Sequence, residues 1–217
     1  MTRERMTSLA GSPGHGGRRT HVAYGRGAFI ACLAIATIAV AACGAASTPV
    51  PSDLAIGQAY GGGFVAYILQ PGDPGCAAGE AHGLIAAIDD QNGGFGIRWA
   101  LPHYWNTAVT GTGTALGTGS ANTDRVITQN GAGIDYAAGL ARAHAGGGFT
   151  DWFLPSRDEL DTLYLNRAAI GGFSSASYWS SSEDGANTAW YQDFGDGVQG
   201  DSFGKHSTYH VRAVRRF

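Results

Sequence analysis

Ser156-Arg157-Asp158-Glu159 is the segment that leaves this chain the least conformational choice. In a Ser-x-x-Glu box the serine hydroxyl accepts a hydrogen bond from the glutamate's amide, and the glutamate carboxylate accepts one from the serine's amide, which starts a helix at that point. Leu160, Leu163 and Tyr164 follow at helical spacing, so the helix carries one apolar stripe and must lie against a core.

The amino end has a different character. Arg18, Arg19 and Arg26 precede an uncharged run over residues 27–42, shorter than the roughly 20 residues of a membrane span. A basic segment, an apolar segment and small residues before a cut make the pattern of a secretory signal. Val40-Ala41-Ala42-Cys43 resembles the lipobox of bacterial lipoproteins, in which Cys43 would carry the lipid and become the first mature residue. The expected division is a signal peptide over residues 1–42, a flexible tether over 43–58, rich in small residues with Pro49 and Pro51, and one folded domain over 59–217. The expected location is therefore the bacterial cell envelope, as an exported, membrane-anchored lipoprotein.

Cleavage would remove five arginines and one glutamate, taking the formal charge from −3 to −7. That acidity, with Lys205 as the one lysine, argues against nucleic acid as a partner, because phosphate binding draws on Lys and Arg. Of the three cysteines, Cys32 leaves with the signal and Cys43 is consumed by the lipid, so Cys76 has no disulfide partner. Stability must come from an apolar core, to which all five tryptophans contribute.

Strands are expected at residues 64–69, 83–88 and 97–101, with a tight turn at Asn92-Gly93 between the last two. Residues 106–123, rich in Gly and Thr, are expected to be a long loop of the kind that often carries binding. A first helix is expected over Ile134 to Ala145, with Ile134, Ala137, Ala138 and Ala141 inward, and the capped segment forms the second. Three more strands follow near 178–182, 188–194 and 209–215, the first two joined at Asp184-Gly185. Strands, then helices, then strands imply an α+β domain.

Five segments in order, His82 to Ala87, Gly117 to Thr123, Trp152 to Ser156, Tyr178 to Ser182 and Val211 to Arg215, resemble the family of the Legionella collagen-like protein C-terminal domain, from about Gly57 to Phe217. The resemblance implies a C-type lectin-like single domain with two helices, short antiparallel strands and long loops. In that arrangement strands from the two ends of the domain pair, and a loop-rich half carries the ligand. It also implies export and surface attachment. The family's namesake binds sulfated glycosaminoglycans, but that chemistry needs a basic surface, and it is not carried over to this acidic chain.

No nucleophile elbow, phosphate loop or His-Glu-x-x-His pattern is present. His206 and His210 would stand about 13 Å apart on an extended strand, too far to share one tetrahedral metal. Glu183, Asp184, Asn187, Asp193, Asp196 and Asp201, set among glycines, are candidate ligand-binding residues, with calcium at Asp193, Asp196 and Asp201 as one reading and solvated acidic turns as the other. Trp190 and Tyr191 join the candidates, since adjacent strand residues face opposite ways and one of them could stack on a sugar ring. Trp152, Pro155, Ser156, Glu159, Trp179 and Arg212 are expected to be structural. The expected function is a non-enzymatic binding or adhesion domain, anchored to the membrane through Cys43, that meets a glycan or surface protein. A formylglycine-generating-enzyme-like oxidase, which would call on cysteine, and a structural envelope protein without a small ligand are the alternatives.

Overall fold

The computed structural model describes residues 50, 51 and 53–217, so the expected signal and Cys43 lie outside the described residues. These described residues belong to one compact unit. Its first sheet joins the two ends of the domain in the order β1 (Ala59–Tyr60), β2 (Gly63–Ile68), β3 (Gly83–Ala87) and β9 (Val214–Arg216), all antiparallel. β3 is buried along its whole length, as suits a central strand covered on both faces. A short ladder pairs β4 (Ile97–Arg98) with β8 (Thr208–Tyr209). The third sheet runs β5 (Ser177–Glu183), β6 (Ala189–Asp193) and β7 (Gln199–Gly200).

Among the described residues there are three α-helices, not the two expected: α1 (Gly119–Asn130), α2 (Ala137–Arg142) and α3 (Arg157–Ile170). α3 begins as its sequence demands. Ser156 Oγ accepts from the Glu159 amide at 3.2 Å, and Glu159 Oε2 accepts from the Ser156 amide at 2.8 Å. Leu160 and Leu163 are buried and Tyr164 packs beside them, so the predicted stripe is the one used.

α1 starts inside the segment expected to be a loop. Its inward positions are Gly119, Asn122, Thr123, Val126 and Asn130, which have helical spacing but only one large apolar residue. Polar bonds replace apolar packing: Asn122 Oδ1 accepts from the Gly113 amide at 2.8 Å and its Nδ2 donates to the Gly113 carbonyl at 2.7 Å, while Asn130 Oδ1 accepts from the Leu101 amide at 2.9 Å. Hydrophobic periodicity has no view of such a helix.

One further expectation fails for a steric reason, and another is met in its turn but not in its pairing. α2 is shorter than the predicted helix and leaves Ile134 exposed, because the turn before it folds back onto its first residues; a Cβ on Gly139 would stand 1.9 Å from the Gly133 carbonyl oxygen. Asn92 and Gly93 do take positive φ, 59° and 63°, but they form a 3-10 turn and not a hairpin, since β3 pairs with β2 and β9 while β4 pairs with β8. The expected last strand is likewise two short ones, β8 and β9. Residues 54–58, placed in the tether, also pack on the domain: Leu54 is buried and the Gly57 amide donates to the Val65 carbonyl at 2.8 Å.

The core has two lobes, and extended segments run between them. Trp152 and Leu154 enter the lobe that holds Trp99 and Trp179, whereas Phe153 enters the lobe of Leu160, Leu163 and Phe194. The same alternation sends Val211 and Ala213 one way and Val214 the other. A chain buried on both faces reads as a continuous apolar run, as residues 152–154 do.

Candidate functional site

The residues singled out from the sequence gather on or beside the β5–β6–β7 sheet, but they divide into two sets with different work. Glu183, at the end of β5, turns inward. Its two carboxylate oxygens accept from the Val109 amide at 2.8 and 3.0 Å, and Oε1 also pairs with Lys205 Nζ. Lys205 is wholly buried; its Nζ donates to the carbonyls of Thr107 at 2.9 Å and Ala186 at 2.7 Å and lies 4.9 Å from the centre of the Trp99 ring. Burial lowers the Lys205 pKa, opposed by its bond to Glu183. This ion pair ties three loops together, so Glu183 is a structural residue and not the ligand contact expected of it.

Asp184 and Asn187 also serve the turn. Asp184 Oδ2 accepts from Thr188 Oγ at 3.2 Å, and the Asn187 carbonyl accepts from the Lys205 amide at 3.0 Å. Trp190 and Tyr191 do part to opposite faces. Trp190 is half-buried with the Arg157 guanidinium 4.9 Å from its ring centre. Tyr191 joins a chain of rings on the other face: Trp179 is buried at its base, Tyr209 stands 4.4 Å from Trp179 and 4.9 Å from Tyr191, and Phe203 lies 5.6 Å from Tyr191. Phe203 is 51% exposed at the outer end. Gly200 permits the packing, since a Cβ there would meet the Tyr191 hydroxyl at 2.5 Å.

Asp193, Asp196 and Asp201 surround this ring group. Burial raises the Tyr191 pKa, and the charges of Asp193, Asp201 and Asp196 raise it further. Burial and the neighbouring Tyr191 push Tyr209 up to about 12. The calcium arrangement is not formed. Asp193 Oδ1 accepts from the Gly195 amide at 2.7 Å and Asp196 Oδ1 from the Val198 amide at 2.9 Å, so each caps its own turn. Among the described residues no group of three His, Cys, Asp or Glu side chains is placed to hold a metal. His206 lies against Trp105, while His210 Nδ1 is 3.2 Å from Asp90 Oδ2, so the two histidines serve different neighbours.

The residues expected to be structural all lie inside the fold. Trp152, Pro155, Ser156, Glu159, Trp179 and Arg212 are buried. Arg212 pairs with Asp90 at 2.6 Å, donates to the Ala87 carbonyl at 3.1 Å and the Gly172 carbonyl at 2.5 Å, and stacks 4.1 Å from the Phe173 ring centre. Asp90 also accepts from the Tyr178 hydroxyl at 2.6 Å. Sequence patterns did not single out Phe203 or Tyr209 for the site. The available signal was an isolated phenylalanine in a polar, glycine-containing loop.

Residues 90–215 match the family model of the Lcl C-terminal domain, a shorter span than the resemblance suggested, beginning after β3. A solved structure of a fimbrial protein from Bacteroides ovatus ATCC 8483 is 16% identical, with a TM-score of 0.34, over 62% of this chain and 35% of that one. The chain thus spans about a third of that protein's length. No curated protein matches the chain.

Proposed function

Because the chain belongs to the Lcl C-terminal domain family, we propose that it is an exported, lipid-anchored, non-enzymatic binding domain that meets a glycan or surface protein at the face formed by Tyr191, Phe203 and Tyr209. The observation that carries this reading is Phe203. An exposed phenylalanine costs free energy in water, yet here it is braced by two tyrosines that rest on a buried tryptophan. A rigid exposed ring rimmed by Asp193, Asp196 and Asp201 offers a stacking surface together with acceptors for hydroxyl or amide donors.

The anchor in this reading is the lipid on Cys43. Replacement of Cys43 by serine should release the chain from the membrane fraction, and retention there would defeat the anchoring claim. The binding claim is tested by probing printed glycans and immobilised surface proteins with the full chain and with Phe203→Ala. Loss of a signal in the variant, with Phe95→Ala unchanged as an exposed-ring control, supports this face. Equal signals from the parent and Phe203→Ala would move the site elsewhere.

A further inference from the structure

A pocket of about 280 Å³ opens between the β2–β3 connection, the Leu116-Gly117 turn and the last residues of the chain. It shares no residue with the ring face described above. Its walls are apolar: Leu69, Leu84, Leu116 and Phe217. The backbone holds these walls in place, with the Gly83 amide donating to the Phe217 carbonyl at 3.3 Å and the Leu69 amide to the His82 carbonyl at 2.8 Å. On the other side of the connection, the Tyr67 hydroxyl donates to Asp73 at 2.8 Å.

Two charged side chains line the pocket, and their hydrogen-bonding capacity differs. Glu159 is fully buried, and both carboxylate oxygens are occupied, Oε2 by the Ser156 amide at 2.8 Å and Oε1 by the Gly117 amide at 3.0 Å. The first turn of α3 adds the positive end of a helix dipole to that carboxylate. Arg216 is the opposite case. Its guanidinium donates to the Gly117 carbonyl and stands 3.9 Å from Glu159, but its side chain is 51% exposed and most of its five N–H groups have no acceptor among the described residues. His82 is already engaged, with Nδ1 3.4 Å from the Phe217 carbonyl and Nε2 3.2 Å from Glu80.

We propose that this pocket binds a small amphiphile, an apolar body seated among the leucines with an anionic head on Arg216. The volume lies at the lower edge of the roughly 300–1,000 Å³ of drug-sized ligand sites, so the ligand is fragment-sized. An anion is preferred to a neutral head because a charge-assisted bond to guanidinium is about twice as strong as a neutral one and can be bidentate. A cationic head finds each Glu159 oxygen already accepting one buried amide, and Arg216 repels it.

Phenylbutyrate, phenylbutanol and phenylbutylamine share one body and differ only in the head. With the full chain labelled at leucine methyls, phenylbutyrate should shift the Leu84 and Leu116 signals saturably and bind about tenfold more tightly than phenylbutanol, one charge-assisted contact's worth. Phenylbutylamine should bind most weakly. Arg216→Gln should abolish the preference for the acid while leaving phenylbutanol binding unchanged, and Leu116→Trp should block all three. Equal affinities for the three heads, tighter binding of the amine, or no saturable shift at Leu84 and Leu116 would overturn the proposal. Because the probes report on leucines away from Phe203, failure here leaves the proposed binding face untouched, and failure of Phe203→Ala there leaves this pocket untouched.

Discussion

Lys205 and Glu183 form a buried ion pair that closes the loops around β5 and β6. Removing one partner of such a pair strands the other charge away from water, so Lys205→Ala should cost about 3–5 kcal/mol in urea unfolding. The double variant Lys205→Met with Glu183→Leu should lose much less, because no uncompensated charge remains. If the double variant is as unstable as the single, the pair contributes through packing alone.

Alkaline pH should unfold the protein through its tyrosines. Burial, first among the causes, raises Tyr136, Tyr178 and Tyr209 each to about 12, against 10.0 for an exposed phenol. A group whose folded pKa is raised contributes stability that is complete below the unfolded value and lost as pH climbs to the folded one. Stability should therefore fall between about pH 10 and 12 by way of these three groups. Lys205, with its folded pKa lowered, acts in the opposite sense as pH approaches 10.5, but it is one group against three. Urea midpoints measured across that range, with phenolate absorbance followed in parallel, give the check; a rising midpoint would refute it.

Calcium should leave the thermal midpoint unchanged, since anything that binds only the folded state would raise it. The carboxylates of Asp193 and Asp196 are occupied by their own turns. A calcium-dependent rise abolished by Asp193→Ala would show that these side chains can leave their turns to ligate.

The cap of α3 is more exacting than an ordinary one. Ser156 Oγ accepts from Glu159 and also donates to the Ala115 carbonyl at 3.0 Å, so Ser156→Ala breaks two bonds in a buried place. Loss of a cap costs typically about 1 kcal/mol, and the orphaned carbonyl adds about 1–3 kcal/mol. A cost under about 0.5 kcal/mol in chemical denaturation, the range of a neutral surface change, would mean that water replaces the hydroxyl.

Phe203→Ala should change stability little, because half of the ring is already in solvent. Phe153→Ala, in the core, should cost about 3–5 kcal/mol. This contrast in thermal unfolding separates a ring kept for contact from a ring kept for packing, and equal losses would assign Phe203 to the fold.

Elements with a local cause were legible in the residues. The Ser156–Glu159 box, the strand at β3, the turn between β5 and β6 and the burial of Trp152 and Trp179 all follow from spacing and residue type. α1 was not legible because its buried side is Asn, Thr and Gly, whose fit depends on partners in remote segments such as Leu154 and Leu101. The candidate site was half legible: the acidic residues do cluster, but which of them turn inward was decided by Lys205, 22 positions from Glu183.

Local chemistry alone determined where this chain starts its capped helix, which runs are apolar enough to be buried, and that its class is α+β. Tertiary structure decided the pairing of β3 with β9, the helical state of residues 119–130, the inward turn of Glu183 and the exposure of Phe203. The division has one physical reason. Capping and periodicity act over a turn or two of chain, whereas hydrogen-bond satisfaction and charge burial depend on groups brought together from far apart, and their sign is undetermined until the fold supplies the partner.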